Sequence, residues 1–429
     1  MSDPGAPAAR GPRWRWALAG VVLLLLAALA AAWLLQPPRA VPFLLSRLGA
    51  SLGLEIRAGA ADYRLRDKPQ LEVRDLDVRQ PGAATPLLRA RRALLVLPWS
   101  SVRARGATLT ADRIELDAPV LDLDALRRWL ATRPPSAEPR VPTLTRGLRV
   151  RDGTLAGGDW RIEGLALDVP ALFPDRPLRA RLRGRYVAPP LRVPVDLAIA
   201  VAHPLRALSG APTGVAAAGA LTVAGEGWTL PAQIFLAGAV QHADGDLRLA
   251  PARLGLAARY RSDSTDAPFR LGLAGTLAVD AAGGRFAPVR AVLAGEGAIP
   301  DAQARGTLAF GQRLALRQDG AIAAWPDAWP ALPPPLSSSR SPLPFALGYA
   351  GPYDFSATSD LELRRDGSFF ASRFRLPAVL AWIDAGATGS PLPPLSGRLS
   401  TPRVEIGGAT LEGVEVDFED PAVPADAAP

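Results

Sequence analysis

Apolar and polar residues alternate one by one through most of this chain, and that period admits little besides a sheet with two unlike faces. Val193, Val195, Leu197, Ile199 and Val201 alternate with Arg192, Pro194, Asp196, Ala198 and Ala200. Leu271, Leu273, Leu277 and Val279 alternate with Gly272, Ala274, Thr276 and Ala278. Near the end, Val414, Val416 and Phe418 alternate with Glu415, Asp417 and Glu419. Successive side chains of a strand point to opposite sides, so each run gives one apolar face and one polar or small-residue face. Strand-and-turn units recur about every 8–12 residues, which predicts on the order of 25 strands.

Turn residues support the same reading. Asp152-Gly153 and Asp366-Gly367 are two-residue hairpin signals, because a type I′ turn needs positive φ at both positions. Such turns set Val150 opposite Leu155 and Leu363 opposite Phe370, apolar against apolar. In LEVRDLDVR, residues 71–79, the apolar parity flips between Val73 and Leu76, which predicts a bulge. Helices are few. Pro42–Leu54 is one candidate and Asp124–Thr132, with Leu126, Trp129 and Leu130, is another. Pro-rich sequence at 133–145 reads as a loop, 325–344 as a Pro/Ser-rich break, and 420–429 as a disordered tail. Ala224-Gly225-Glu226-Gly227 recurs as Ala294-Gly295-Glu296-Gly297, each closing an apolar run.

Ahead of the strands lies a charge-free run, Trp16 to Leu35, with Trp16 and Trp33 near its ends. Twenty helical residues rise about 30 Å, the thickness of a bilayer's hydrocarbon core. Arg10, Arg13 and Arg15 precede the run, while Arg39 and Arg47 follow, which predicts a cytoplasmic N-terminus and an exported body. Ala30-Ala31-Ala32 would suit cleavage of a signal peptide, but the run exceeds the roughly 7–15 apolar residues usual there, so an uncleaved anchor is expected. The absence of cysteine suits an oxidising compartment and excludes disulfides and thiolate metal sites.

The formal charge of +8 points first to nucleic acid, yet Lys68 is the single lysine and the arginines are scattered among carboxylates. No dense basic stripe of the kind a phosphate backbone requires is present. The tightest cluster, Arg89, Arg91 and Arg92, reads as a solvated strand edge. Catalytic groups are sparse. His203 and His242 are the only histidines and lack zinc-like spacing, and there is no nucleophile elbow and no phosphate loop with its lysine. Asp117, Asp122 and Asp124, like Glu415, Asp417 and Glu419, lack the glycine pattern of a calcium loop and read as solvated strand faces. Trp325 and Trp329 are expected to pack a proline-rich loop onto the sheet. The chain is therefore not expected to be an enzyme, and no cofactor or metal is expected.

Gly106–Leu126, GATLTADRIELDAPVLDLDAL, leads through strands to a proline and a short Leu/Asp run. Residues 71–80 and 90–102, then 147–169 and 395–418, supply further strands in a matching order. With the N-terminal run, this arrangement resembles the AsmA-like proteins of Gram-negative envelopes, relatives of bridge-like lipid transfer proteins. Leu126-Arg127-Arg128-Trp129 stands where that family usually has Gly and Asn-Trp. The resemblance covers the anchor, roughly residues 40–170, and the last strands.

The resemblance implies an N-terminal transmembrane helix followed by an extended, twisted antiparallel sheet forming an open groove; a closed β-sandwich satisfies the same alternation. The expected order is a cytoplasmic stub (1–15), an inner-membrane anchor (16–35), an N-terminal β region with short helices (36–132), the loop (133–145) and a periplasmic groove body (146–419). Val195, Leu197, Ile199, Leu271, Leu273, Val414, Val416 and Phe418 are the candidate lipid-binding face. Expected partners are phospholipid or another membrane lipid, the inner membrane and an envelope protein, with no nucleic acid. The implied role is binding or conveying lipid for outer-membrane maintenance. The alternative is a non-enzymatic assembly factor, such as the N component of type II secretion, acting through protein partners.

Overall fold

A computed structural model describes residues 53–423, except 65–66, 104–109, 133–140, 190, 226, 244–245, 263–264, 281–282, 330, 333–335, 338, 386–391 and 407–408. The apolar run at 16–35, nearly all of the helix expected at Pro42–Leu54, and most of the 133–145 loop lie outside the described residues. Among the described residues, no helix is long and apolar enough to cross a membrane. The fold is mainly β, and the chain divides into two compact units, Met1–Asp246 and Leu247–Pro429. That division falls well before the break expected at 325–344.

The first unit contains β1 (Glu55–Arg57), β2 (Ala60–Arg64), β3 (Gln70–Arg79), β4 (Leu88–Val96), α1 (Trp99–Arg103), β5 (Thr110–Ala111), β6 (Arg113–Asp117) and β7 (Val120–Asp122). It continues with α2 (Leu123–Ala131), β8 (Thr143–Leu144), β9 (Leu148–Gly157), β10 (Trp160–Val169), β11 (Leu178–Ala188) and β12 (Leu191–Val201). The last elements are α3 (Pro204–Leu208), β13 (Thr213–Gly225) and β14 (Trp228–Ala243). From β9 to β14 each strand pairs antiparallel with the next. The wholly antiparallel expectation fails here, because β9 runs parallel to β6 and β7, and β8 runs parallel to β5. The cause is the connection: a parallel return needs a long crossover, and the stretch containing α2 supplies it.

This N-terminal part has a closed core. The Ala125 amide donates to Asp122 Oδ1 at 2.7 Å, capping the first turn of α2. The capped helix lays Leu126 and Trp129 against the sheet, and Trp129 is 1 % exposed beside fully buried Leu87, Leu95 and Leu144. The parity flip in β3 is present, with Leu71, Val73, Leu76 and Val78 buried, but it is not a bulge. Asp75 adopts φ 51°, while the register with β4 is the same on either side of it, Arg74↔Arg92 and Leu76↔Ala90. β4 flips at the same place, so both strands turn together.

Asp152-Gly153 is not a hairpin turn. β9 passes straight through it, Val150 pairs with Leu167, and Leu155 pairs with Ile162. Asp152 does take positive φ, 53°, but as an irregularity opposite β10. The parallel strands on the other side explain this. β6 ends at Asp117 beside Arg151, and β7 resumes at Val120 beside Thr154, so β9 is held extended across Ala118-Pro119. A Cβ at Gly153 would stand 3.2 Å from Pro119 Cγ, so the glycine serves close packing.

The second unit runs β15 (Asp246–Ser262), β16 (Asp266–Val279), β17 (Gly283–Gly295), β18 (Ala302–Gly311), β19 (Leu314–Ile322) and β20 (Leu343–Gly351). It ends with β21 (Ser359–Arg365), β22 (Ser368–Phe374), α4 (Leu376–Ala385), β23 (Leu395–Ile406) and β24 (Ala409–Phe418). All ten strands pair antiparallel in chain order. Asp366-Gly367 is the expected turn, with φ 50° and 80° and Leu363 opposite Phe370. Within the tail expected to be disordered, Asp420–Val423 docks: Val423 is 3 % exposed, and the Asp420 amide donates to Ser396 Oγ at 2.8 Å.

A half-buried ion pair, Lys68 with Asp112, ties the N-terminal core together. Asp112, 4 % exposed, is held by the Lys68 ammonium and by the Thr145 hydroxyl at 2.7 Å. Burial pushes its carboxyl up, but the bonds from Lys68 and Thr145 and the charges of Lys68 and Arg146 outweigh this and leave it below the usual range. A depressed folded pKa stabilises above the unfolded value of about 3.9, and the contribution is lost as pH falls through the folded value. Asp112→Asn is therefore expected to lower the unfolding midpoint at pH 7 and to flatten the loss of stability below about pH 4. Urea melts at pH 7, 4 and 3 check this; an unchanged acid limb would contradict it.

Candidate functional site

Register decides whether the alternating runs add up to a surface. In the first unit, Leu167, Leu182, Leu197, Gly219 and Ile234 stand opposite one another across β10 to β14. On either side of this row lie Gly184–Val195–Leu221–Ala232 and Ala180–Ile199–Ala217–Leu236. The candidates Val195, Leu197 and Ile199 thus sit in three adjacent apolar rows. Charge is kept to the opposite face, where Arg181 and Arg183 both donate to Asp196, at 2.9–3.0 Å. The hydrogen bond from Arg181 is the main reason the Asp196 carboxyl is held below its usual range.

The apolar face of β10–β13 differs from the closed core before it. Leu182, Val195, Leu197, Ile199 and Leu221 are half-buried, whereas the corresponding residues of β3 and β4 are buried. Close approach of the strands is built in on this face. A Cβ at Gly219 would lie 2.0 Å from the Asp196 carbonyl oxygen, so the row between Leu197 and Ile234 admits only glycine there.

In the second unit one row crosses nine strands: Leu273, Ala291, Ala304, Gly320, Phe345, Leu363, Phe370, Leu399 and Val416. It contains no charged residue. At about 4.8 Å between strands it extends roughly 40 Å. Leu271 begins the next row, through Leu293, Ala302, Ile322 and Leu343. Phe418 ends a third row, through Gly397, Ser372, Leu361, Leu347 and Gln318 to Gly306. Leu271, Leu273, Val414 and Phe418 are half-buried, and Val416 is 42 % exposed. The third row carries two buried polar atoms without a hydrogen-bond partner, Gln318 Oε1 and Ser372 Oγ.

A strap between β19 and β20, residues 323–342, covers part of this second face. Leu332 and Leu336 are buried in one cluster with Ile322, Leu343, Leu363 and Leu399, and Phe345, Phe370 and Phe418 pack against it. Trp325 and Trp329 meet edge to face at 4.8 Å in the same cluster, as expected for a loop packed on the sheet. Arg365 pins the strap. It is 7 % exposed, and its guanidinium donates to the carbonyls of Leu336 (2.8 Å), Ser339 (2.7 Å) and Ser341 (2.6 Å).

The acidic groups have local work. Asp117 accepts from Arg92 and Arg151, Asp122 caps α2, and Asp124 accepts from the Gly158 amide. Asp417 pairs with Arg398 at 2.7 Å. Arg92 bridges Glu72 and Asp117, and Arg89 bonds Asp77. Among the described residues no group of three or more carboxylates or histidines is placed to hold a metal ion. A cavity of about 610 Å³ on the polar face of β17–β21 has mixed charge, with Arg290, Arg305, Asp319, Glu362 and Arg364 in its lining.

Sequence reasoning found the strands that carry the apolar face and the packing of Trp325 and Trp329, but read the stretch as a whole as a break. The available signal was Trp325, Trp329, Leu332 and Leu336 inside a proline-rich stretch, where a linker would be polar. Replacing Arg365 by Met removes the donors to three strap carbonyls. Amide exchange in residues 336–341 is expected to rise about tenfold or more by hydrogen-exchange mass spectrometry, with β16–β18 unchanged. Unchanged exchange in the strap would show that the guanidinium does not hold it.

No protein-family model matches the chain, and no curated protein or solved structure matches it either.

Proposed function

We propose that this protein is held in an inner membrane by residues 16–35, exposes the rest of its chain to the periplasm, and binds or conveys a membrane lipid for upkeep of the outer membrane. The supporting observation is the set of charge-free rows, continuous from strand to strand and half-buried where no strap covers them. An acyl chain moved through water exposes apolar surface at about 0.8 kcal/mol per methylene, so shielding ten methylenes is worth roughly 8 kcal/mol. Shielding requires an uninterrupted apolar track, and rows that contain no charged residue supply one. The likeness of the N-terminal run, of roughly residues 40–170 and of the last strands to AsmA-like proteins supports the same reading, in which the sheet forms an open groove and phospholipid is the natural cargo.

The competing reading is an assembly factor acting through protein partners, with its apolar faces closed as ordinary core. The strap favours it locally, since Leu332 and Leu336 bury Leu363 and Leu399 as a core would. Charge placement separates the two. The full chain carrying Leu197→Asp, Leu273→Asp and Val416→Asp is expected to fold and to retain several-fold less co-purified phospholipid than the parent. Ala198→Asp with Ala294→Asp, both on exposed polar-face positions, is expected to retain the parental amount. Equal lipid in both variants would overturn the lipid-binding reading, and global unfolding of the triple variant alone would favour a closed core.

A further inference from the structure

One arginine stands on the apolar face of the β15–β24 sheet, where a purely apolar track would have none. Arg365 lies two residues beyond Leu363 on β21, so it continues the row that runs through Leu271, Leu293, Ala302, Ile322 and Leu343. Ser368 is its register partner on β22, and the Ser368 hydroxyl meets that of Thr401 at 3.0 Å. The row is therefore apolar across five strands, about 20 Å, and then polar across three, about 10 Å. Arg365, Ser368 and Thr401 are 7, 4 and 3 % exposed.

A buried guanidinium is costly when its charge is not balanced. Among the described residues no carboxylate bonds Arg365; its acceptors are three neutral carbonyls. The nearest charges in sequence, Asp366 beside it and Arg340 beside Ser341, are exposed and of opposite sign. The carbonyls are unevenly spread over the guanidinium. Nη1 donates to Leu336 and Ser339, at 2.8 and 2.7 Å. Nη2 donates to Ser341 at 2.6 Å, while Nε is buried and has no partner.

Pinning the strap uses Nη1 and Nη2 and gives no reason for an orphaned Nε. The Nε–Nη2 edge is the fork that two oxygens of one anion fill with parallel hydrogen bonds. A carbonyl occupies one of its two positions and cannot reach the other. Ser341 is exposed, and its other bonds run to the Ser339 hydroxyl, so it can give way while Leu332 and Leu336 stay buried.

We propose that the Nε–Nη2 edge of Arg365 is a receptor for the phosphate of a phosphodiester with net charge −1, and that the Ser341 carbonyl stands in for one of its oxygens. Charge sets the class. The site holds one unbalanced positive charge, which an anionic diester neutralises and a zwitterionic one does not. Size separates phosphate from a fatty-acid carboxylate, because Ser368 and Thr401 prolong the polar stretch beyond the reach of a single carboxylate. The five apolar strands next to it favour a phospholipid as the source of the diester. The inference deepens the lipid-binding reading and rests on it for that choice.

The test measures dissociation constants by native mass spectrometry on the full chain in maltoside micelles. Dihexanoylphosphatidylglycerol is expected to bind about tenfold more tightly than dihexanoylphosphatidylcholine or decanoate, and to raise amide exchange at Ser341 but not at Leu336. Arg365→Met is expected to bind it about tenfold more weakly, even though loss of the strap bonds uncovers the face. Unchanged or tighter binding in Arg365→Met would make the guanidinium a pin alone and overturn the proposal, as would equal binding of the three probes by the parent. Should Arg365→Met fail to fold, Ser339→Ala decides, because it removes the hydroxyl that holds Ser341 and leaves Arg365 in place. Several-fold tighter phosphatidylglycerol binding is expected there, and unchanged binding overturns the proposal. Phospholipid held equally by the parent and Arg365→Met would remove this site and leave the lipid-binding reading intact. Arg365-dependent binding of deacylated glycerophosphoglycerol, as tight as that of the lipid, would keep the site and count against the lipid-binding reading.

Discussion

Everything in this fold depends on register. Side chains alternate with period two along a strand, so a slip of one residue between neighbours would carry every leucine to the charged face. Along the row from Leu273 to Val416 the pairing places apolar or small residues opposite one another strand after strand. The opposite face adds cross-strand ion pairs, such as Arg373–Asp360 and Arg398–Asp417, each exposed and worth little alone. Their value lies in specificity, since a slipped strand would lose them and bury their charges.

Closure of the apolar face varies along the chain, and the sequence next to each strand explains it. In the N-terminal core, Asp122 starts a helix whose Leu126 and Trp129 cap the sheet, and residues there reach 0–8 % exposure. In the second unit the strap does the same work over Leu363 and Leu399, with Arg365 spending its donors on strap carbonyls and none on a carboxylate. Between β10 and β13 the connections are short or lead into α3, whose five residues are too few to cover four strands. The apolar rows there stay half-buried. A protein that needed only a stable core would have little reason to leave them so.

Much of this was legible in the chain itself. The alternation in 193–201 and 271–279 identifies the strands and their apolar sides, and Asp366-Gly367 fixes a turn and its register together. Asp152-Gly153 misleads because the same dipeptide suits a positive-φ irregularity inside a strand, and only the parallel partners β6 and β7 decide between the two. The parity flip at Val73 and Leu76 was visible, but its cause was not, since it needs the matching flip in β4. The packing of Trp325 and Trp329 on the sheet was legible, but the burial of Leu332 and Leu336 was not, because proline and serine dominate the composition around them. Row continuity from Leu273 to Val416 is beyond any local pattern, because it is the product of eight successive pairings.

The central claim is that the half-buried rows meet lipid. The most direct measurement is photo-crosslinking in living cells with benzoylphenylalanine introduced in turn at each residue from Val195 to Ala200. The account predicts adducts of phospholipid mass at Val195, Leu197 and Ile199 and none at Asp196, Ala198 and Ala200. Adducts at neither set, or protein adducts on the apolar positions, would contradict it.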